Sequence, residues 1–147
     1  MTDGTYDTGF TELVDDTWDT ADIRMLLLDE DVGLTFDRTD VFVDDVIGHA
    51  GNVEMSGTGY AREVVPSRST VAGVSLANIT HGDVLFEGIN AGIAGAAVYY
   101  RHVTDDSDSP VIFFKQSGFP FTTSGNDMTV RVGSNGLAII QDLETVT

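Results

Sequence analysis

The chain has 147 residues, of which 41% are hydrophobic, and it contains no cysteine. This length suits one domain, and the lack of cysteine excludes disulfides, thiol nucleophiles and thiolate metal sites. A net charge of −17 repels phosphate groups, which argues against binding to nucleic acid or to an anionic membrane. The sequence therefore predicts one soluble globular domain that covers residues 1–147.

The kinds of charged residue are as biased as their number. The chain contains 18 Asp and 6 Glu against 6 Arg and a single Lys. In dilute buffer so many carboxylates destabilise a compact protein by mutual repulsion. In molar salt the Debye length falls to about 3 Å, and most of that repulsion disappears. Short, strongly hydrated carboxylates with almost no lysine predict a protein that is adapted to high salt.

The N-terminal third mixes helical and extended patterns. Four apolar side chains recur at helical spacing and predict one short amphipathic helix. They are Phe10, Leu13, Val14 and Trp18. Residues 21–28 are mostly apolar and predict a buried strand. Residues 40–47 fit either a strand or a helix, and their periodicity leaves both open.

From Gly57 onward the pattern is typical of short strands that are separated by turns. Runs of β-branched and aromatic residues recur about every 8–12 residues, between positions rich in Gly, Pro, Asn and Asp. The predicted strands cover residues 60–65, 71–76, 84–86, 92–100, 111–116, 128–132 and 137–140. Asn135-Gly136 predicts a tight hairpin turn between the last two strands. Together these elements predict a mainly β fold, an antiparallel, jelly-roll-like β-sandwich with one short N-terminal helix.

The sequence carries no pattern that is typical of catalysis or of a cofactor site. His49, His81 and His102 fall in loops or beside strand ends, and no serine occupies a Gly-x-Ser-x-Gly turn. The HExxH and GxxxxGK patterns are also missing. We therefore expect no catalytic residue, no cofactor and no enzyme activity.

An acidic loop has the composition of a calcium site without its spacing. Asp105, Asp106 and Asp108 are candidate metal ligands, but the Asp-x-Asp-x-Asp-Gly pattern with a distal Glu is missing. The sequence favours a hydrated surface turn here, with a bound metal ion as the alternative.

One segment resembles a box found in a family of small structural proteins of tailed viruses. Met55-Ser-Gly-Thr-Gly-Tyr-Ala-Arg62 is similar to the family's E-x-SGTGY-x-R box. Further segments resemble the family in the same order along the chain. They are residues 23–28, 41–46, 95–100, 109–114 and 130–139. The resemblance spans roughly residues 10–140, and Val132 stands where the family often has Trp.

The resemblance implies a virion component, and the salt-adapted composition suggests a virus of a halophilic archaeon. The leading hypothesis is a decoration or turret protein on the head surface, made in the host cytoplasm. Its expected partners are the major capsid protein, copies of itself as a homotrimer, and other virion structural proteins. A tail, baseplate or head–tail adaptor component is the alternative, and a carbohydrate-binding sandwich is a third. The N-terminal apolar stripe is the candidate interface, unless it packs on its own domain.

Overall fold

A computed structural model describes residues 3–9, 17–30, 33–72, 76–132 and 139–141. The helices whose two ends both lie among these residues are α1 (Thr17–Thr20) and α2 (Val43–Gly48). The strands are β1 (Gly4–Thr5), β2 (Ile23–Asp29), β3 (Glu63–Val64), β4 (Ser69–Ala72), β5 (Leu76–Thr80), β6 (Val84–Phe86), β7 (Ile93–Arg101), β8 (Val111–Lys115), β9 (Phe121–Thr122), β10 (Met128–Val130) and β11 (Ile139–Gln141). No helix among the described residues is long and apolar enough to cross a membrane.

The strands pair antiparallel in three sheets. The central sheet has the order β1–β8–β7–β2–β3, and β9 pairs with the beginning of β7. A second sheet contains β4, β5 and β11, and a third contains β6 and β10. The predicted mainly β, antiparallel and sandwich-like architecture is confirmed.

The central sheet is covered on both faces, which explains the scarcity of polar residues in its middle strands. In β2, Met25 and Leu27 belong to one hydrophobic cluster, and Leu26 and Leu28 belong to another. Side chains from α1, β5, β6 and β10 close the first cluster. Side chains from α2, together with Tyr6, close the second. A strand buried on both faces has a nearly continuous apolar sequence instead of an alternating one.

Two β-bulges shift the register between strands of the central sheet. In β7 the register with β2 shifts near Gly95, where a Cβ atom would lie 2.8 Å from the Cα atom of Glu30. In β8 the register with β7 shifts at Ile112. A bulge interrupts the alternation of side chains between the two faces. As a result, the consecutive residues Ile112 and Phe113 both pack in the first cluster.

The strands that the sequence predicts are largely confirmed, with changed bounds. Residues 21–28, 92–100 and 111–116 correspond to β2, β7 and β8. The predicted strand at residues 60–65 is reduced to the two residues of β3. In the predicted strand at residues 71–76, β4 ends at Ala72. Residues 43–48 form α2, which decides between the two structures that periodicity left open.

The predicted hairpin between residues 128–132 and 137–140 is wrong for the described residues of both segments. β10 pairs with β6, and β11 pairs with β5, so the two strands belong to different sheets. The Asn135-Gly136 turn itself lies outside the described residues. The pairing differs because apolar side chains of β6 and β10 together close the first hydrophobic cluster, and a local turn signal carries no information about that long-range contact.

Candidate functional site

Three polar residues of the 54–62 segment, Glu54, Tyr60 and Arg62, form a network centred on Arg62. Its Nε donates to Oε2 of Glu54 at 2.8 Å, and its Nη2 donates to Oε1 of Glu54 at 2.7 Å. Nη1 and Nη2 also donate to the carboxylate of Asp106 at 2.5 and 2.9 Å. The hydroxyl of Tyr60 donates to Glu54 at 2.5 Å and accepts a hydrogen bond from the Leu27 N–H at 3.2 Å. The network therefore joins this segment to β2 and to the acidic loop.

The charges in this network stabilise one another. The hydrogen bonds that Arg62 donates to the carboxylates of Glu54 and Asp106 raise the pKa of Arg62, and the guanidinium lowers the pKa of Asp106. The guanidinium also lies 5.4 Å from the ring centre of Tyr100, within the range of a cation–π contact. Since each charge is held by an opposite one, the arrangement fixes two loops to the sheet.

The glycines of the same segment allow a close backbone approach. Gly57 and Gly59 have φ angles of +143° and +76°. Between them, Thr58 forms an isolated β-bridge with Asn90. A Cβ atom on Gly59 would lie 2.4 Å from the carbonyl oxygen of Gly88. Glycine is therefore required at residue 59 for both its φ angle and the space available.

The carboxylates of the acidic loop are occupied by the loop itself and by Arg62. Oδ1 of Asp108 accepts hydrogen bonds from the N–H groups of Thr104 and Asp105 at 3.1 and 2.8 Å. Oδ1 of Asp105 accepts one from the N–H two residues later at 3.0 Å, and Asp106 is bound by Arg62. These three candidate ligands do not form a group that could hold a metal ion in the described part of the chain. The geometry is that of a self-bonded acidic turn.

Trp18 belongs to the core and not to an exposed stripe. It lies in the first hydrophobic cluster, and its indole N–H donates to the carbonyl oxygen of Thr80 at 3.1 Å. For this residue the structure corrects the candidate interface in favour of packing on its own domain. Phe10, Leu13 and Val14 lie outside the described residues.

His81 is buried beside Trp18 and is held by two hydrogen bonds. Its Nδ1 lies 2.5 Å from the carbonyl oxygen of Gly82, and its Nε2 lies 2.7 Å from the hydroxyl oxygen of Tyr99. Because a carbonyl only accepts, Nδ1 carries the proton of the neutral ring and Nε2 accepts from Tyr99. Burial lowers the pKa of His81 and raises the pKa of Tyr99.

We expect His81 to make stability depend on pH below about 6.5. The unfolded chain binds a proton near the ordinary pKa of 6.5, whereas folded His81 stays neutral to a lower pH. Between these two pKa values the unfolded state binds more protons, so stability rises with pH and its full contribution is present above the upper value. Urea unfolding at pH values between about 5 and 7 measures the slope.

The matched variants are His81→Gln and His102→Gln, since His102 is a partly exposed histidine. The first should be less stable at neutral pH and should have a flatter dependence on pH. The second should keep the wild-type dependence. If His81→Gln keeps the wild-type slope, the buried neutral ring is not its cause.

A second polar cluster lies between α2 and the loop before it. Asp37, Asp40 and His49 each offer one ligand atom, and these atoms lie within 4.8 Å of one another. Asp40 is buried, and Nε2 of His49 lies 2.9 and 3.1 Å from its two carboxylate oxygens. Sequence reasoning missed this cluster because its members come from a turn and from the residue after a helix, at a spacing that matches no metal motif.

Several hydrogen bonds position the cluster. The buried side chain of Asn52 donates to the carbonyl oxygens of Thr35 and Val46 at 2.8 and 3.0 Å, and it accepts from the Thr35 N–H at 2.9 Å. These bonds tie the loop before Asp37 to the end of α2. Oδ1 of Asp37 accepts from the N–H and the hydroxyl of Thr39 at 3.0 and 2.6 Å, which closes the turn that leads to Asp40.

Tyr6 packs against the same region from the N-terminal strand. Its ring lies 5.0 Å from that of Phe36, and the N–H of the next residue donates to the carbonyl oxygen of Arg38 at 2.9 Å. Burial, together with the charges of Asp40 and Asp37, raises the pKa of Tyr6, so its hydroxyl stays protonated. This hydroxyl is buried, and it has no hydrogen-bond partner among the described residues.

A groove of about 400 Å³ lies between β10 and the turn that follows β8. Its lining combines apolar and polar residues and includes two basic side chains. The apolar and basic side chains of the lining are Phe119, Phe121, Met128, Val130, Lys115 and Arg131. The chain has only 7 basic residues, so two of them in one groove make it distinct from the acidic surface.

Comparison of the chain with protein-family models, curated proteins and solved structures finds no match in any of the three. Function is therefore inferred from three features of the described residues: the Arg62 network, the cluster of Asp37, Asp40 and His49, and the groove.

Proposed function

We propose that this chain is a non-enzymatic structural protein of a tailed virus of a halophilic archaeon, located on the capsid surface as a decoration or turret protein. The observation that carries the proposal is the network of Glu54, Tyr60 and Arg62, which are three of the polar positions of the box that resembles tailed-virus structural proteins. These side chains contact one another directly. The contacts support the interpretation that the box is one structural unit and not a chance similarity in sequence.

Two polar side chains that are fixed by hydrogen bonds also favour a scaffold. Arg62 is held by two carboxylates, and His81 is fixed between a carbonyl oxygen and the Tyr99 hydroxyl. Polar networks whose members are all paired make a domain rigid, and the effect is strongest where they are shielded from water. Rigidity is useful in a subunit that reinforces a shell, because little conformational entropy is then lost when the subunit binds.

Assembly of such an acidic protein requires surfaces that avoid carboxylate repulsion. The groove offers the exposed aromatic side chain of Phe121 beside Lys115 and Arg131, and Arg131 also forms an exposed ion pair with Asp83. An apolar surface with basic groups is complementary to an acidic and apolar neighbour. We assign the groove to contacts with the major capsid protein or with other copies of this chain, as a homotrimer. In molar salt the remaining repulsion is screened, and apolar burial dominates the contact.

The location of the protein in virus particles tests the proposal. We expect an antibody against this chain to label the heads of particles of the virus that encodes it, at a copy number comparable to that of the major capsid protein. Labelling confined to the tail, with few copies, would instead support the tail, baseplate or adaptor role. Particles that lack the protein would contradict a structural role altogether.

Two matched variants test the groove itself. Phe121→Asp and Val103→Asp place the same charge at apolar side chains that are 41% and 43% exposed, and Phe121 is the one that lines the groove. In molar salt, Phe121→Asp should lose co-sedimentation with capsids stripped of this protein, and Val103→Asp should bind as the wild type does. Equal binding by both variants would show that the groove is not part of the interface.

A further inference from the structure

We propose that Asp37, Asp40 and His49 bind a divalent transition-metal ion, with Tyr6 closing the site from the N-terminal strand. The cluster combines one imidazole nitrogen with carboxylate oxygens. Ca²⁺ and Mg²⁺ prefer oxygen ligands alone, whereas mixed nitrogen and oxygen ligands suit Zn²⁺ and its neighbours. Zn²⁺ is the ion that fits this set of donors best.

The separations within the cluster suit a single ion. Zn–N and Zn–O bonds are about 2.0–2.2 Å long, so two ligands at a tetrahedral angle lie about 3.3 Å apart. Nε2 of His49 and the carboxylate oxygens of Asp40 are already 2.9 and 3.1 Å apart. The largest separation is at most 4.8 Å, and small rotations of Asp37 and His49, which are both partly exposed, would bring all three ligands to the ion.

Tyr6 provides a second and independent indication of a ligand. Its side chain is 0% exposed, and its hydroxyl has no partner in the described residues, although buried tyrosine hydroxyls are usually hydrogen-bonded. The N–H of Asp7 donates to the carbonyl oxygen of Arg38 at 2.9 Å, and the Tyr6 ring lies 5.0 Å from that of Phe36, so Tyr6 packs beside the turn that carries Asp37 and Asp40. A water molecule as the fourth ligand of the ion would provide the partner that the hydroxyl lacks.

Such an ion would join segments that are distant along the chain. Tyr6 follows β1, Asp37 and Asp40 lie in the turn before α2, and His49 follows α2. Molar salt screens ion pairs at the surface over about 3 Å but does not screen a coordinate bond in this way. The metal would therefore act as a structural link that remains effective in the high salt to which the composition is adapted.

Metal titration of the whole chain tests the site. After treatment with a chelator, the protein in molar sodium chloride is titrated with Co²⁺, whose visible absorption reports its ligands, and then with Zn²⁺ as the competitor. We expect one ion per chain and displacement of Co²⁺ by Zn²⁺. Asp40→Asn and His49→Gln should each weaken Zn²⁺ binding by at least about tenfold, whereas His102→Gln should bind as the wild type does.

Two further results decide the proposal. If Asp40→Asn fails to fold, His49→Gln is the deciding variant, because the His49 side chain is 29% exposed. Tyr6→Phe should keep or raise the stability of the metal-free protein, since it removes an unpaired polar atom, and it should weaken Zn²⁺ binding. A wild-type protein that binds no ion, or a His49→Gln variant with wild-type affinity, would overturn the site and leave an ordinary hydrogen bond between His49 and Asp40.

Discussion

Replacing Gly59 with Ala should lower the free energy of unfolding by about 3 kcal/mol or more. The φ angle of +76° is unfavourable for a residue with a Cβ atom, and that atom would lie 2.4 Å from the carbonyl oxygen of Gly88. A backbone oxygen cannot move aside as the end of a flexible side chain can. Backbone strain and overpacking therefore add. Urea unfolding in molar salt measures the loss.

Two other glycines separate the causes. Gly92 also has a positive φ, +93°, but a Cβ atom there would meet nothing within 4 Å. Gly92→Ala should therefore show backbone strain alone, about 1 kcal/mol. Gly48 also has open space around it and lies in α2, so Gly48→Ala should be neutral or slightly stabilising. If Gly59→Ala and Gly92→Ala lower the free energy of unfolding equally, the prediction of a steric clash between residues 59 and 88 is wrong.

Replacing Arg62 with Met should lower the free energy of unfolding by about 2–3 kcal/mol. The substitution leaves the carboxylates of Glu54 and Asp106 partly buried without their counter-charge. Removing one partner of a fully buried pair costs about 3–5 kcal/mol. Solvent reduces that cost here, because the Arg62 side chain is 24% exposed and that of Asp106 is 33% exposed. Urea unfolding in molar salt, which screens surface pairs more than buried ones, is the measurement.

Arg24 provides the matched control. Its guanidinium makes a comparable contact, 2.8 Å to Asp22, but the two side chains are 35% and 42% exposed. Arg24→Met should therefore cost less than about 1 kcal/mol. A double-mutant cycle of Arg62→Met with Glu54→Gln should show a favourable coupling between the two side chains. If Arg62→Met lowers the free energy of unfolding no more than Arg24→Met does, the prediction that the network stabilises the fold is wrong.

Both predictions concern the segment that resembles the viral box. Gly59 is needed where the chain approaches Gly88, and Tyr60 and Arg62 then reach Glu54 on the same segment. If both substitutions have the expected effects, the box is a requirement of the fold. A protein that shares the box would then share this local structure, and a shared role in a virus particle would be the next step to test.

The sequence alone determined the elements whose structure follows from the residues within them. The apolar runs that became β2, β7 and β8 have few polar residues, and such segments are stable only inside a sheet that is covered on both faces. The acidic loop was also predictable, because Asp and Ser side chains bond to the backbone near them. Here the cause and its effect lie within a few residues of each other.

The tertiary structure decided whatever depends on contacts between distant residues. Trp18 could have packed inside or outside, and the carbonyl oxygen of Thr80, 62 residues away, holds its indole in the core. β10 and β11 follow one another along the chain, yet each pairs with an earlier strand. The cluster of Asp37, Asp40 and His49 forms because Asn52 ties a loop to the end of α2. Periodicity and turn signals describe a residue's near neighbours, whereas these contacts form only once the sheets have packed.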